Sequence, residues 1–411
     1  MKRITTILLL VTLVASLFTG VASAEAAPVT EITYAHLGDW AIPYLEAAAK
    51  DFEAETGIKV NIQAWTFQDG YQKYVTSFEG GAAPDCGMGF SDWLAEFYER
   101  GVLVPLDDVI SPEYEADMYE GAKEAGMYKG QLLGVPFATS IRYLICRPDL
   151  YEAKGLAVPT TVDELVAASK AVSNPPETYG FGLCAGRNKN TVEFYLELLW
   201  PYGGEILNED GSAVAFNSPE GIQALKTFKE LTATTPAGYL TTDHYLAENA
   251  FTAGNLAAMV SANWIITGLA ETDPEAKAEI VPILTGPNGD AGNLYIADLL
   301  YVFNDEKAEA CMKWIEFYKS NEKYLGEAFV EYGFAPDLKS HDDWAFMQTE
   351  TAKIIGEATT VARPKPATPA WSQIEDALAV AIGKVCADEM TPEEALAEAE
   401  IICNEAIEFV S

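Results

Sequence analysis

The chain has 411 residues, with 62 acidic side chains against 26 lysines and arginines, and 49% of its residues are hydrophobic. A formal charge of −36 excludes a surface that attracts nucleic acid or anionic lipid, and instead indicates a solvated acidic surface. Because this length exceeds one ordinary hydrophobic core, we expect two lobes.

The first 24 residues have the order of a secretory signal peptide. Lys2 and Arg3 precede the apolar stretch ILLLVTLVASLF, and the small residues VASA follow it. We predict cleavage after Ala24, with Ala26 as the alternative, and we find no cysteine placed to accept a lipid anchor. Since no later apolar run reaches 18 residues, the expected product is soluble and secreted, most simply to a periplasm.

The next segments alternate between strand and helix patterns. EITYAHL (31–37) and IKVNIQAW (58–65) predict strands, and the segment between them has helical spacing that ends at Gly57. A helix over GYQKYVTSFEGG and a strand over PDCGMGF follow. This alternation predicts a parallel sheet flanked by helices, whose ligands gather beyond the carboxyl ends of the strands. Those ends hold Asp39, Trp40, Trp65, Asp92 and Trp93.

A second lobe is predicted to begin near residue 139. SIRYLICR (140–147) and YGFGLCAG (179–186) predict strands, Thr160 or Thr161 caps a helix, and TVEFYLELLWPYGG predicts another helix. No flexible linker separates the halves, which favours hinge strands. Further along, three prolines in ARPKPATPAWSQ (362–373) restrict the backbone before Trp371. This tryptophan either fills a surface crevice as a packing residue or presents an aromatic platform to a ligand.

The cysteines and histidines give no metal-binding pattern. None of the six cysteines forms a CxxC pair, and the chain has only three histidines, so we expect no metal site and no cofactor. In an oxidising compartment some cysteines are expected to pair. The candidates are Cys386 with Cys403, across a predicted helical hairpin, and Cys146 with Cys184.

Several short motifs occur in one order along the whole chain and together resemble a known family. These motifs resemble the extracellular solute-binding proteins of ABC importers, family 1, in the branch that includes maltose-binding protein. They are FEAETGIKV (52–60), GGAAPDC (80–86), GVLVPLDDVI (101–110), YKGQLLGVPFATSIRYLICRPDLYEAKGL (128–156), YGFGL (179–183), GGEILNEDGSAVAFNSPEGIQAL (203–225), AFTAGNLAAMVSANW (250–264), YGFAPDL (332–338) and TPEEALAEAE (391–400).

The resemblance implies an α/β, two-lobed periplasmic-binding-protein fold, type II-like, whose lobes are joined by three hinge crossings and close around a ligand. The crossings fall near 138–143, 293–297 and 334–340. After the signal peptide (1–24), lobe one is then 28–138 with 294–335, and lobe two is 139–293 with 336–411.

The resemblance also implies ligand-binding residues. Trp371 and Trp264 match positions at which aromatic rings stack on sugar, whereas Asp39 with Trp40, and Asp92, fall where lobe one supplies polar contacts. Gly89 stands where the maltose binder has an aromatic residue, which argues against a linear α-glucan. Each assignment has a structural alternative, namely core packing for the tryptophans and helix capping for the aspartates.

Further candidates are Trp93, Trp65, Arg142, Asp298, Tyr332 and Phe334. A surface ion pair is the alternative for Arg142, and Asp298 either contacts a ligand hydroxyl or braces the hinge. Tyr332 and Phe334 flank Gly333 at the third crossing and are expected to close the floor of the cleft.

The expected function is capture of a solute, a mono- or oligosaccharide, by a monomer that delivers it to the transmembrane subunits of an ABC permease. The alternatives are a secreted carbohydrate-acting hydrolase and a binding protein that serves a chemosensory receptor. No GxSxG, HExxH, Walker or GxGxxG motif supports an enzyme.

Overall fold

The computed structural model describes residues 28–410. The predicted signal peptide and its cleavage site lie outside the described residues.

Eleven strands lie within this range: β1 (Glu31–Leu37), β2 (Lys59–Trp65), β3 (Cys86–Phe90), β4 (Met127–Tyr128), β5 (Gln131–Leu132), β6 (Gly134–Ile141), β7 (Tyr143–Cys146), β8 (Ala258–Ser261), β9 (Glu279–Val281), β10 (Asn293–Val302) and β11 (Ala362–Pro364).

The α-helices of the same range are α1 (Ile42–Thr56), α2 (Gly70–Glu79), α3 (Leu94–Glu99), α4 (Pro112–Asp117), α5 (Glu120–Ala125), α6 (Pro148–Glu152), α7 (Val162–Val172), α8 (Lys189–Leu199), α9 (Pro219–Thr232), α10 (Tyr245–Thr252), α11 (Trp264–Thr272), α12 (Ala308–Lys319), α13 (Glu322–Tyr332), α14 (Glu350–Thr359), α15 (Trp371–Cys386) and α16 (Pro392–Val410). Short 3-10 turns cover Ser91–Trp93, Asp305–Lys307, Lys339–Asp343 and Ala345–Gln348.

The larger sheet contains the predicted β-α-β start of the chain. Strand β1 pairs in parallel with β2 and β3, and β10 runs antiparallel to β3 and to β6. The N-terminal residues of β10 also pair with β11. Helix α1 covers this sheet with Leu45 and Phe52, each 1% exposed, and ends at Gly57, whose φ of 75° is costly for other residues. The predicted elements from residue 31 to residue 90 are therefore confirmed.

The smaller sheet has three antiparallel strands in the order β8-β7-β9. One hydrophobic core surrounds it and includes residues of α7, α8, α9, α15 and α16. Thr161 caps α7 with a reciprocal capping box that involves Glu164, as the sequence predicted. The strand predicted over 179–186 is wrong: Tyr179 and Gly182 form only isolated bridges, because glycine gives a strand no side chain to pack.

The chain passes from one sheet to the other twice between Gly134 and Asn293. Only Arg142 separates β6 of the larger sheet from β7 of the smaller sheet, and its backbone N–H donates to the carbonyl of Leu294 over 2.9 Å. The return to the larger sheet comes between Val281 and Asn293, where β9 ends and β10 begins. The strand predicted over 140–147 is therefore interrupted by the crossing itself.

The segment after the third predicted crossing stays beside the larger sheet. The backbone carbonyl of Asp337 accepts from the Tyr119 N–H, the Lys339 ammonium donates to the Ala116 carbonyl, and the Ser340 hydroxyl donates to the Asp117 carboxylate. Strand β11 also belongs to that sheet, so the chain joins the second core at Trp371. These contacts favour a later third crossing than the predicted one, and the lobe boundaries stay a prediction.

All six cysteines lie in the described range, and each is buried and free. The proposed Cys386–Cys403 and Cys146–Cys184 disulfides are therefore wrong for this structure. The helical hairpin of α15 and α16 is confirmed, with Cys386 and Cys403 packed as small apolar side chains in the second core.

Candidate ligand-binding site

A cavity lies where α8, β8 and the first crossing meet. Its volume of about 20 Å³ holds about one water molecule. Helix α8 contributes four residues at helical spacing, so that they share one face. The lining residues are Arg142, Asn190, Glu193, Phe194, Glu197, His244, Val260, Ser261 and Trp264. Two predicted site residues, Arg142 and Trp264, are thus brought together.

Trp264 is the half-buried aromatic side chain of this cavity. It begins α11, and its Nε1 donates to Glu248 Oε1 over 2.9 Å, an oxygen that also accepts from Ser261. The guanidinium of Arg142 covers the ring, with its central carbon 4.7 Å from the ring centre. Such a contact is attractive because the ring face is electron-rich, and it holds both side chains in the cavity wall.

His244 and Asn190 add neutral hydrogen-bonding groups to the cavity wall. The Nδ1 atom of His244 lies 3.1 Å from Asn190 Oδ1, and Asn190 Nδ2 donates to Glu193 over 3.0 Å. Burial lowers the pKa of His244, so its imidazole is neutral at pH 7. The wall therefore offers donors and acceptors that carry no charge, besides its ionised groups.

The carboxylates of the site differ in protonation because their neighbours differ. Burial raises the pKa of Glu197 to about 8, even though its Oε1 accepts from the Leu294 N–H over 2.6 Å. Burial alone would also raise the pKa of Glu193, but the charges of Lys365, Lys189 and Arg142 lower it to about 2. Glu193 is thus ionised and Glu197 is protonated at neutral pH.

Asp298 lies on β10, opposite Phe90 of β3 and Ala138 of β6. Burial raises its pKa to about 7, and its Oδ1 has no hydrogen-bond partner among the described residues. The Oδ1 atom of Asp92 is likewise buried and without a partner in residues 28–410. Buried acceptors of this kind are costly unless something donates to them, as a ligand hydroxyl does.

Trp371 is not a platform in this structure. It begins α15 with 1% of its surface exposed, and it belongs to the second hydrophobic core. The proline-rich loop before it instead places Lys365 over the indole, with Nζ 5.8 Å from the ring centre. The structural alternative, packing, thus accounts for Trp371.

The aromatic residues of the first lobe fall into two groups. Trp40 packs against Tyr332 and Phe334 with ring centres 4.8 and 5.4 Å apart, so the structure brings these three predicted residues together. Trp93 is 9% exposed and packs on Tyr71 and the other rings around it, as a core residue does.

Two predicted residues lie elsewhere. Trp65 packs its ring edge against Tyr74, and Asp39 is exposed.

Gly89 admits no side chain, because a Cβ there would lie 2.9 Å from Trp93 and from Tyr301. The aromatic residue beside it is Phe90, whose ring carries Lys189 Nζ at 3.9 Å from its centre.

Sequence reasoning missed several of these residues. Glu193 and Glu197 were visible as two acids four residues apart in an otherwise apolar helix, a pattern that indicates a function for both. Lys365 was visible as a base between two prolines in a chain that has few bases. His244, Asn190 and Phe90 had no comparable signal.

None of the helices between Ile42 and Val410 is long and apolar enough to cross a membrane. Within the described part of the chain, no three His, Cys, Asp or Glu side chains are arranged to hold a metal ion.

Comparison with known proteins gives a consistent assignment. A chain of Brucella abortus that is described only as a binding protein is 28% identical over 385 residues, which are 92% of each chain. The galactooligosaccharide-binding protein of Bacillus subtilis is 23% identical over 86% of this chain and 84% of its own. An ABC transporter solute-binding protein of Thermotoga lettingae, solved with bound α-D-tagatose, superimposes with a TM-score of 0.82 at 24% identity, over 92% of this chain and all of its own.

The last of these matches gives the fold, which is the two-lobed fold of periplasmic binding proteins. The model of the bacterial extracellular solute-binding protein family matches residues 39–324, which include most of both sheets. The chain belongs to the bacterial extracellular solute-binding protein family.

Proposed function

We propose that this solute-binding protein captures a sugar in the cavity around Trp264 and delivers it to an ABC permease from the periplasm or another space outside the cytoplasmic membrane. It acts as a monomer that binds its ligand without turnover. The names of its relatives support a sugar, since they include binders of galactooligosaccharide and of maltotriose.

The observation that carries this proposal is the setting of Trp264. A sugar ring has an apolar C–H face and a rim of hydroxyls, so its site needs an aromatic plane together with paired donors and acceptors. Around the indole lie an ionised carboxylate, a protonated one, an amide, an imidazole and a guanidinium. This mixture suits hydroxyl groups, which donate and accept.

The small volume of the cavity supports capture by movement of the lobes. With room for about one water, it admits a sugar only after Arg142 or the lobes move. A ligand that contacts both lobes then favours the closed arrangement by its differential contacts.

A thermal-shift screen tests the proposal. We expect at least one of D-glucose, D-galactose, D-xylose, maltose and maltotriose to raise the Tm, because ligand at a hundredfold excess over its Kd adds about 2.7 kcal/mol of stability. The same sugar should raise the Tm of Trp264→Ala by less than it raises the Tm of the wild type, and it should be recovered intact. A Tm that rises with amino acids or peptides but with no carbohydrate contradicts the proposal.

A further inference from the structure

The proline-rich loop between β11 and α15 places a lysine beside Glu193, a residue of the cavity wall. Pro364 and Pro366 flank Lys365, and proline fixes φ on both sides of it. The side chain of Lys365 is 9% exposed. A lysine that is buried and held in this way requires partners for its charge, because an ammonium without them would lose its proton.

Three carboxylates from three separate elements surround the Lys365 ammonium. Nζ lies 2.9 Å from Glu375 Oε1 on α15, 3.2 Å from Glu193 Oε1 on α8 and 3.4 Å from Asp92 Oδ2 after β3. We call these four side chains the Lys365 cluster. Asp92 follows a strand of the larger sheet, whereas Glu193 and Glu375 lie on helices of the second core, so the cluster joins the two.

The cluster adjoins the sugar cavity through Glu193, which belongs to both. Its three carboxylates and the indole of Trp371 form an ammonium-binding environment, in which acids supply counter-charge and an aromatic face supplies further attraction. Further charged or titratable groups interact with these carboxylates: Lys189, Arg142, Glu197 and His244 with Glu193, and Asp298 and Tyr301 with Asp92.

We propose that Lys365 is a specificity-determining residue: its ammonium occupies the position that the amine of an amino sugar would take, so the site selects neutral sugars over amino sugars. This inference rests on the proposed function, because it names the class of sugar. Without Lys365 the site would hold three carboxylates and a vacant ammonium position, and a cationic ligand would supply the missing charge.

The first experiment needs no sugar. Ethylammonium chloride is added to Lys365→Ala, with sodium chloride at equal ionic strength as the reference. We expect ethylammonium to raise the Tm of Lys365→Ala by several degrees more than sodium chloride does. In the wild type and in Lys226→Ala, the two salts should change the Tm equally. Lys226 is the matched control because it pairs with Glu393 in an exposed ion pair. Equal effects of the two salts on Lys365→Ala would overturn the inference.

The second experiment measures selectivity. Calorimetry compares D-glucose with D-glucosamine, and D-galactose with D-galactosamine, on the wild type, Lys365→Met and Lys365→Arg. We expect the wild type to prefer the neutral sugar, Lys365→Met to shift the affinity ratio at least tenfold towards the amine, and Lys365→Arg to keep the wild-type preference.

The two experiments separate the inference from the proposed function. An unchanged affinity ratio in Lys365→Met overturns the inference even if ethylammonium stabilises Lys365→Ala, because the cluster is then structural only. If no sugar binds the wild type, the proposed function fails and with it the named ligand class, whatever the salt experiment gives.

Discussion

Arg142 stacks on Trp264, with 4.7 Å between the guanidinium carbon and the ring centre. Arg142 is also the single residue between β6 of one sheet and β7 of the other. A change in the angle between the sheets therefore acts directly on the residue that covers the indole. The proposed hinge and the proposed ligand site therefore share Arg142.

Trp264→Ala is expected to weaken sugar binding about fivefold to seventyfold. A sugar that covers roughly 50 to 100 Å² of the indole gains about 1 to 2.5 kcal/mol at about 25 cal/mol per Å². Because Trp264 is only half-buried, the Tm of the ligand-free protein should fall less than that of Trp371→Ala, by an amount that reflects the lost hydrogen bond to the buried Glu248. Calorimetry with the sugar found by the thermal-shift screen measures the affinity, and Trp264→Phe, which keeps a ring, should lose less. Unchanged affinity in Trp264→Ala would place the ligand elsewhere.

Trp371→Ala is expected to destabilise the protein by about 3 to 5 kcal/mol, since it removes a large side chain from a core that cannot collapse fully. Its 1% exposure makes it a packing residue, in contrast to Trp264. Urea unfolding of the ligand-free protein measures the loss. The earlier interpretation as a sugar platform predicts the opposite result, namely unchanged stability with weaker binding.

The stability contributed by Asp298 and Glu197 is expected to fall as the pH rises from 5.5 to 8.5, while the buried His36 and His244, whose pKa values burial lowers, act in the opposite direction up to about pH 6.5. Burial raises the pKa of Asp298 to about 7 and that of Glu197 to about 8, above the value of about 4 that carboxyls have in unfolded chains. The folded state therefore binds more protons in this window, and the stability contributed by the two groups, complete below pH 4, is lost as the pH passes their folded pKa values. Glu193 contributes nothing to this slope, because its pKa of about 2 leaves it ionised throughout.

The pH profile of Tm tests this assignment. Relative to the wild type, Asp298→Asn and Glu197→Gln should each make the Tm fall less, or rise more, with pH, whereas Glu398→Gln, which changes an exposed carboxylate paired with Lys384, should keep the wild-type slope. A profile that keeps its slope in the double variant would show that other groups cause it.

The sequence predicted the elements better than the contacts among them. The early strands and helices were predictable because the side chains of each element alternate or repeat locally, and Gly57 marks the end of α1 by its left-handed backbone. Trp40, Tyr332 and Phe334 were each predicted as site residues, but the sequence did not predict that Trp40 packs against the other two. Their role in binding stays a prediction.

The role of the proline-rich loop was not predictable from the sequence. The pattern of prolines showed that something was held in place, and Trp371 was the conspicuous side chain. Lys365 lies beside the site because its ammonium contacts Asp92, Glu193 and Glu375. These three carboxylates come together only through the packing of three elements that are distant in sequence. Local sequence patterns do not predict contacts between elements that are distant in sequence, so the structure was needed to identify Lys365.

Saturation with sugar is expected to reduce the radius of gyration in solution. Lys189 begins α8, Phe90 ends β3, and the 3.9 Å between the ammonium and the ring centre links the helix of one core to the strand of the other sheet. The cavity around Trp264 is too small for a sugar, so ligand entry requires movement of Arg142 or of the lobes, and movement of the lobes would break this contact. If such open forms are populated without ligand, a sugar that contacts both sides shifts the population towards the closed form. Small-angle scattering with and without the sugar measures the shift, and a sugar that leaves the Tm unchanged, added at the same concentration, controls for solvent contrast. A wild-type radius that stays constant at saturation, while calorimetry shows binding, would mean that side-chain movement alone admits the ligand.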